Sequence, residues 1–232
     1  IKQKYGTGGD LEIYHDGSTS YIDDAGTGIL RIRGNEIRLC NTSNETYFTG
    51  TENGSASLYH NDVKKFETLS TGVRAQGGIC FGSDTAAANH LDDYEEGEFT
   101  PAIGTSSGSA ALRTANDTLA YTKIGDTVHI VGQIVIGTCS SPSGAFWMTG
   151  LPFTSGNGTD LAKRTSVVGF GWFNGSGVGN GNNRYFWESF LNEGSTSLDN
   201  IQVMHNSYVP DETAANLLAD GTDIWMDFTY KI

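Results

Sequence analysis

The sequence predicts an all-β protein, and three observations predict it. Glycine occurs 31 times and proline only 4 times in 232 residues, the usage of a chain with many tight turns. Apolar residues come in short runs that alternate with polar ones, the period of a strand with one buried face. An Asp16-Gly17 pair stands between two such runs, and Asp-Gly is a strong hairpin signal because glycine takes positive φ at little cost. The glycines show no period of three, which excludes collagen. With 4 Trp, 10 Tyr and 11 Phe, the chain has the apolar material for a core and is not read as disordered.

Residues 1–90 carry an imperfect repeat. Gly9-Asp10-Leu11-Glu12-Ile13-Tyr14-His15-Asp16 parallels Gly54-Ser55-Ala56-Ser57-Leu58-Tyr59-His60-Asn61. Thr27-Gly28 then parallels Thr71-Gly72, and Arg31 and Gly34 match Arg74 and Gly77. A repeated strand–turn–strand unit is the physical reading. Ile29, Leu30 and Ile32, then Ile37 and Leu39, predict two further strands around Gly34-Asn35. Large aliphatic residues are scarce here, so a two-layer core within one chain is hard to build. Stacking along an axis, or winding with other chains, would cover the apolar faces, and either gives an elongated shaft.

The acidic run from Leu91 to Pro101 (Leu91-Asp92-Asp93-Tyr94-Glu95-Glu96-Gly97-Glu98-Phe99-Thr100-Pro101) ends at a proline and reads as a junction. Residues 102–232 follow a different grammar. Val128, Ile130, Ile134 and Ile136 share one face of a long strand, and Thr165–Phe173, Arg184–Leu191 and Asn200–His205 read as others. At the C-terminus Ile224, Met226, Phe228, Tyr230 and Ile232 alternate with Asp227, Thr229 and Lys231. Such strands joined by Gly/Ser/Asn loops predict a β-sandwich or jelly roll. Asp211–Leu218 is the one helical hint.

A net charge of −13 argues against nucleic acid and against an anionic membrane surface as partners. No stretch approaches the roughly 20 apolar residues of a membrane span, so a soluble protein without membrane insertion is expected. The start at Ile1 reads as a piece of something longer, and the glycines that follow are no signal peptide. Cys40, Cys80 and Cys139 match no metal spacing and leave an odd count, so buried thiols are expected. Six Asn-x-Ser/Thr sequons need no more than the abundance of those residues. No cofactor is expected.

Three stretches resemble the tail fibre proteins of tailed bacteriophages, particularly marine ones. They are the Leu11–Ile22 and Leu58–Thr68 repeat, the Leu91–Pro101 junction, and Tyr121–Ile134 taken together with Gly150-Leu151-Pro152-Phe153-Thr154. The resemblance implies the C-terminal part of such a fibre, a homotrimer with a thin shaft and a globular tip that meets the host. It also implies a place in the virion after synthesis in the host cytoplasm. The partners would be other tail proteins and a host cell-surface glycan or outer-membrane protein.

Candidate functional residues cluster in one place. Gly175–Asn183 is too polar and glycine-rich to build core. It lacks the Lys and helix of a phosphate loop, and Trp172, Phe173, Tyr185, Phe186 and Trp187 flank it. One reading is a flexible hairpin loop between core strands. The other is a receptor site in which Trp172, Phe173, Tyr185 and Trp187 give flat apolar faces and Asn174, Asn180, Asn182 and Asn183 give amide groups. Other constellations are weaker. Gly104-Thr105-Ser106-Ser107-Gly108 matches a nucleophile elbow in letters, but a Ser/Gly/Ala loop and no helix follows. Asp92, Asp93, Glu95 and Glu96 would be the carboxylates of a glycan-cleaving tailspike, the alternative to passive binding, yet their place in a junction favours a solvated run. His15 and His60 precede turns and have no His-x-His partner for a metal; His129 and His205 show no base with a partner. The function predicted is attachment without catalysis.

Overall fold

The computed structural model describes residues 1–83, 85–86, 89–156, 166–169, 173–174, 186–204 and 218–232. These form 17 β-strands, and among the described residues there is no α-helix. The helical hint at Asp211–Leu218 lies, but for its last residue, outside them. The chain divides into two compact units, Ile1–Gly78 and Ile79–Ile232.

The first unit holds two antiparallel sheets. One is β1 (Lys2–Tyr5), β2 (Leu11–His15) and β3 (Ser20–Asp24), in that order. The other is a meander of β4 (Glu36–Cys40), β5 (Thr46–Thr51), β6 (Ala56–His60), β7 (Val63–Leu69) and β8 (Gly72–Ala75). The two halves of the repeat both form hairpins, β2–β3 and β6–β7, closed by different chemistry. In the first, Asp16 Oδ1 accepts from the Ser18 and Thr19 amides, each at 2.9 Å. These two amides, Thr19 first, hold its carboxyl well below the usual aspartate range. In the second, Asn61 and Asp62 both take positive φ, 51° and 59°, the two-residue turn whose twist suits a hairpin. Ile29–Ile32 does not form the expected strand. Among the described residues it has no ladder partner, and Ile29 and Ile32 stand exposed.

The five-stranded sheet has an inverted distribution of residues. One register row reads Leu39, Phe48, Leu58, Phe66, Ala75 across all five strands. Leu39, Leu58 and Phe66 of this row are exposed by 55%, 51% and 38%. The neighbouring row on the other face reads Arg38, Thr49, Ser57, Glu67, Arg74. There Ser57 and Glu67 are buried, and Glu67 is clamped between Lys64, at 2.6 Å, and Arg74. The apolar side of the sheet is thus the open one.

The second unit is organised by one strand. β12 (Thr127–Thr149) runs 23 residues and serves two sheets. Its first part pairs with β11 (Leu119–Ile124) and β17 (Asp223–Lys231), flanked by β9 (Tyr94–Phe99) and β14 (Phe173–Asn174); we call this the terminal sheet. Its second part pairs with β10 (Ala102–Leu112) and β16 (Ser197–Met204), beyond which lie β15 (Phe186–Leu191) and β13 (Ser166–Gly169); this is the arm sheet. The predicted periodicity is seen in β12, where Val128, Ile130, Ile134 and Ile136 are fully buried. It is equally clear in β17, where Ile224, Met226, Phe228 and Tyr230 point inward. Gly132, opposite Met226, interrupts the β12 row because Leu119 fills the space a side chain would need. Both sheets feed one core, and burial of each large side chain contributes roughly 1.5–3 kcal/mol. Trp187 of β15 meets Phe228 of β17 edge-on, with centroids 5.8 Å apart.

Two expectations change here. The Ser/Gly/Ala stretch Thr105–Ala110 is no loop. It lies within β10, paired to β12 with register shifts, because small side chains let the bulged ladder close. Gly108 sits there at φ 74° against the Ser140 and Ser141 carbonyls, where any side chain would collide. The cysteines are not buried either: Cys40 and Cys80 are exposed and Cys139 is half-buried. Cys40 closes the edge strand β4, and Cys80 follows the isolated Ile79–Leu91 bridge.

Candidate functional site

Most of the predicted receptor site lies outside the described residues: Trp172, Asn180, Asn182, Asn183 and Tyr185 all do. Phe173 and Asn174 form β14, opposite Ile224 and Asp223 of β17. Trp187 is placed away from any surface, at 1% exposure, with its Nε1 donating to the Trp225 carbonyl at 3.0 Å. The inward phase of β15 takes it into the core, so its ring offers no face to a receptor. β14 ends at Asn174, at the edge of the terminal sheet beside β17.

The outer face of that sheet carries residues that the sequence reading did not single out. Along β17 the outward positions are Trp225, Asp227, Thr229 and Lys231. Trp225 is 47% exposed, directly across from Gln133 on β12. Gln133 Nε2 donates to Asp223 Oδ1 at 3.0 Å. On the other side of the ring, Val131 is opposite Asp227, and the Asp227 Oδ1 lies 3.8 Å from His129 Nε2. His129 Nδ1 shares a hydrogen bond with Thr229 Oγ1 at 3.2 Å. His129 thus has polar partners, reached across the ladder from residues a hundred positions away, a pairing that no local motif announces.

The acidic run becomes an edge strand and a clasp. Lys123 is buried on β11 and forms an ion pair with Asp93, its Nζ 5.3 Å from the Phe153 ring centre. Glu95 accepts from the Tyr121 hydroxyl at 2.7 Å, and that hydrogen bond, with burial, raises the Tyr121 phenol above its ordinary value. Phe153 in turn exchanges hydrogen bonds through its amide and carbonyl with the Tyr230 hydroxyl, at 3.3 and 3.1 Å. Burial pushes Tyr230 up to about 12. Tyr94 donates to Glu96. Charges along an edge strand also deter pairing with foreign strands.

The remaining candidates have structural partners. Ser106 Oγ accepts from the Ala145 amide at 3.0 Å inside the β10–β12 arm, so the elbow-like letters form no elbow. His15 Nδ1 shares a hydrogen bond with Ser20 Oγ at 3.2 Å across the end of its hairpin, and His60 occupies the equivalent last position of β6, opposite Val63. His205 lies outside the described residues. Among the described residues no three His, Cys, Asp or Glu side chains gather as a metal site would require.

No protein-family model matches the chain, and no curated protein matches it. Among solved structures, the crystal structure of the Dettilon tailspike protein (gp208) is similar, with a TM-score of 0.48 and 17% sequence identity. The likeness covers 62% of this chain and 25% of that one.

Proposed function

We propose that this chain is the C-terminal part of a tailed-phage tail fibre, a virion protein that attaches to the host surface as a homotrimer and without catalysis. One observation carries the assembly: the open apolar row Leu39–Phe48–Leu58–Phe66 of the first unit. Monomeric proteins rarely leave contiguous apolar surface of this kind uncovered. Copies of the same chain, each covering the row of the next around a closed symmetry axis, are the economical cover. The three stretches that resemble tail fibres support the host-facing role. The carboxylates weighed for glycan cleavage favour the non-catalytic reading, because Asp93 and Glu95 are engaged by Lys123 and Tyr121. The receptor is a surface glycan or an outer-membrane protein.

The test is adsorption. Labelled protein is expected to bind the surface of susceptible bacteria and to compete with the phage for it, releasing no sugar. Absence of binding to any cell would overturn the attachment reading. Oligosaccharides released from host polysaccharide would overturn the non-catalytic part, and Asp92, Asp93, Glu95 and Glu96 would then be replaced in turn.

A further inference from the structure

β17 turns four large side chains inward, and all are buried. Its outward positions should then be polar, and three are. Trp225 is the exception. Its backbone carbonyl is held by the buried Trp187 indole, so the strand is fixed beneath it, while the ring stands half-exposed. Among the described residues, the sheet's own packing gives no reason for an indole here.

What surrounds the ring is specific. Asp223 and Asp227 flank it on the same face, each two residues away, about 7 Å along the strand. Each carboxylate is accompanied by a residue of β12, Asp223 by Gln133 and Asp227 by His129. A flat apolar ring between two carboxylates matches a sugar ring, whose C–H face stacks on an aromatic while its hydroxyls donate to carboxylates. Hydrogen bonds to ionised acceptors are the stronger kind. The same carboxylates, in a chain of net charge −13, repel uronic acids, sialic acids and phosphorylated sugars.

We infer that the outer face of the terminal sheet, centred on Trp225 with Asp223, Asp227, Gln133 and His129, is a binding platform for neutral saccharides. This rests on the attachment reading above and names its ligand class.

The experiment uses the 232-residue chain and a printed array of neutral and acidic bacterial oligosaccharides, with tryptophan fluorescence titration of the best binder. Wild type is expected to bind neutral and not acidic sugars, with a change in fluorescence that Trp225→Phe abolishes. Trp225→Ala should weaken binding by about three- to tenfold per site, the worth of one aromatic contact, with the melting temperature unchanged. Trp225→Phe should recover part of the affinity, and Asp227→Asn should weaken it independently should the alanine variant fold poorly. Wild-type affinity in both Trp225→Ala and Asp227→Asn, or binding of acidic sugars alone, overturns the platform. Cell binding without binding to any saccharide overturns it too and leaves attachment standing; failure to bind cells at all strikes the attachment reading itself.

Discussion

Tyr121 donates its hydroxyl hydrogen to Glu95 at 2.7 Å while its ring stands edge-on to Phe153, centroids 5.3 Å apart and planes at 86°. One side chain thereby joins three stretches that lie far apart in the sequence: the acidic run, the Tyr121–Asp126 segment and the Gly150–Thr154 turn. Lys123 repeats the connection, with Asp93 on one side and Phe153 on the other. The wording of these stretches is therefore tied together by packing, because a buried ammonium and a half-buried phenol each take an acid from β9 and its approach.

The Asp93–Lys123 pair gives the first prediction. Removing the carboxylate leaves Lys123, 7% exposed, with a charge short of its partner. Full burial of both groups would make this severe, but the Asp93 side chain is 48% exposed and water can fill in. Asp93→Ala is expected to cost about 1–2 kcal/mol in chemical denaturation. Lys123→Met in the same background should recover most of it. A loss under a few tenths would mean that the pair is ornamental.

Acid should loosen the first unit through Glu67. The hydrogen bond from Lys64, then the Arg74 partner, lowers the Glu67 pKa below its ordinary 4.5. A depressed carboxylate contributes stability that is complete above the unfolded value and disappears as pH falls through the folded one. Glu12, lowered by Lys2 and Lys4, acts with the same sign in the other sheet. The protection of β6–β8 amides against hydrogen exchange, taken relative to the intrinsic rate at each pH, is expected to fall below about pH 4.5. Glu67→Gln should be less protected at neutral pH and respond less to acid.

Most of the second unit was legible because its strands are long and one-sided: the alternation from Ile224 to Ile232 could fit only a strand with one face in a core. The repeat likewise announced its hairpins through Asp16-Gly17 and Asn61. What stayed hidden depends on partners remote in sequence. Thr105–Ala110 reads as a loop by composition and is held as a strand by β12. The acidic run reads as solvated and pairs with β11. Trp187 and Trp225 look alike as letters, and only the phase of their strands sends one into the core and the other out. His129 acquires Asp227 and Thr229 through a ladder closed a hundred residues later.

Assembly should respond to Leu58. It is 51% exposed in the single chain and central in the open apolar row, so a polar residue there is tolerated by the monomer and resisted by an interface. Wild type is expected to sediment as a trimer of the 24.8 kDa chain. Leu58→Asp should shift it toward the monomer with strand content intact. A wild-type monomer, or an unaffected trimer in the variant, would take the row out of the interface.

The glycine-rich segment tests the predicted receptor loop separately from the sheet face. Asn174 closes β14 against Asp223, so an exchange should begin after it and leave that bridge in place. Residues 175–183 contain no large side chain and contribute nothing that a core needs, whereas loops on a rigid scaffold are where binding groups concentrate. Replacing 175–183 with a Gly-Ser linker is therefore expected to leave thermal melting and oligomeric state unchanged and to abolish adsorption to cells. In the proposed trimer three copies would bind together, so a loss that is modest at each site would be multiplied in the assembly. Adsorption is the sensitive readout for that reason. If the exchanged protein adsorbs normally while Trp225→Ala does not, recognition belongs to the sheet face, and the segment is only the connection that the hairpin reading makes it.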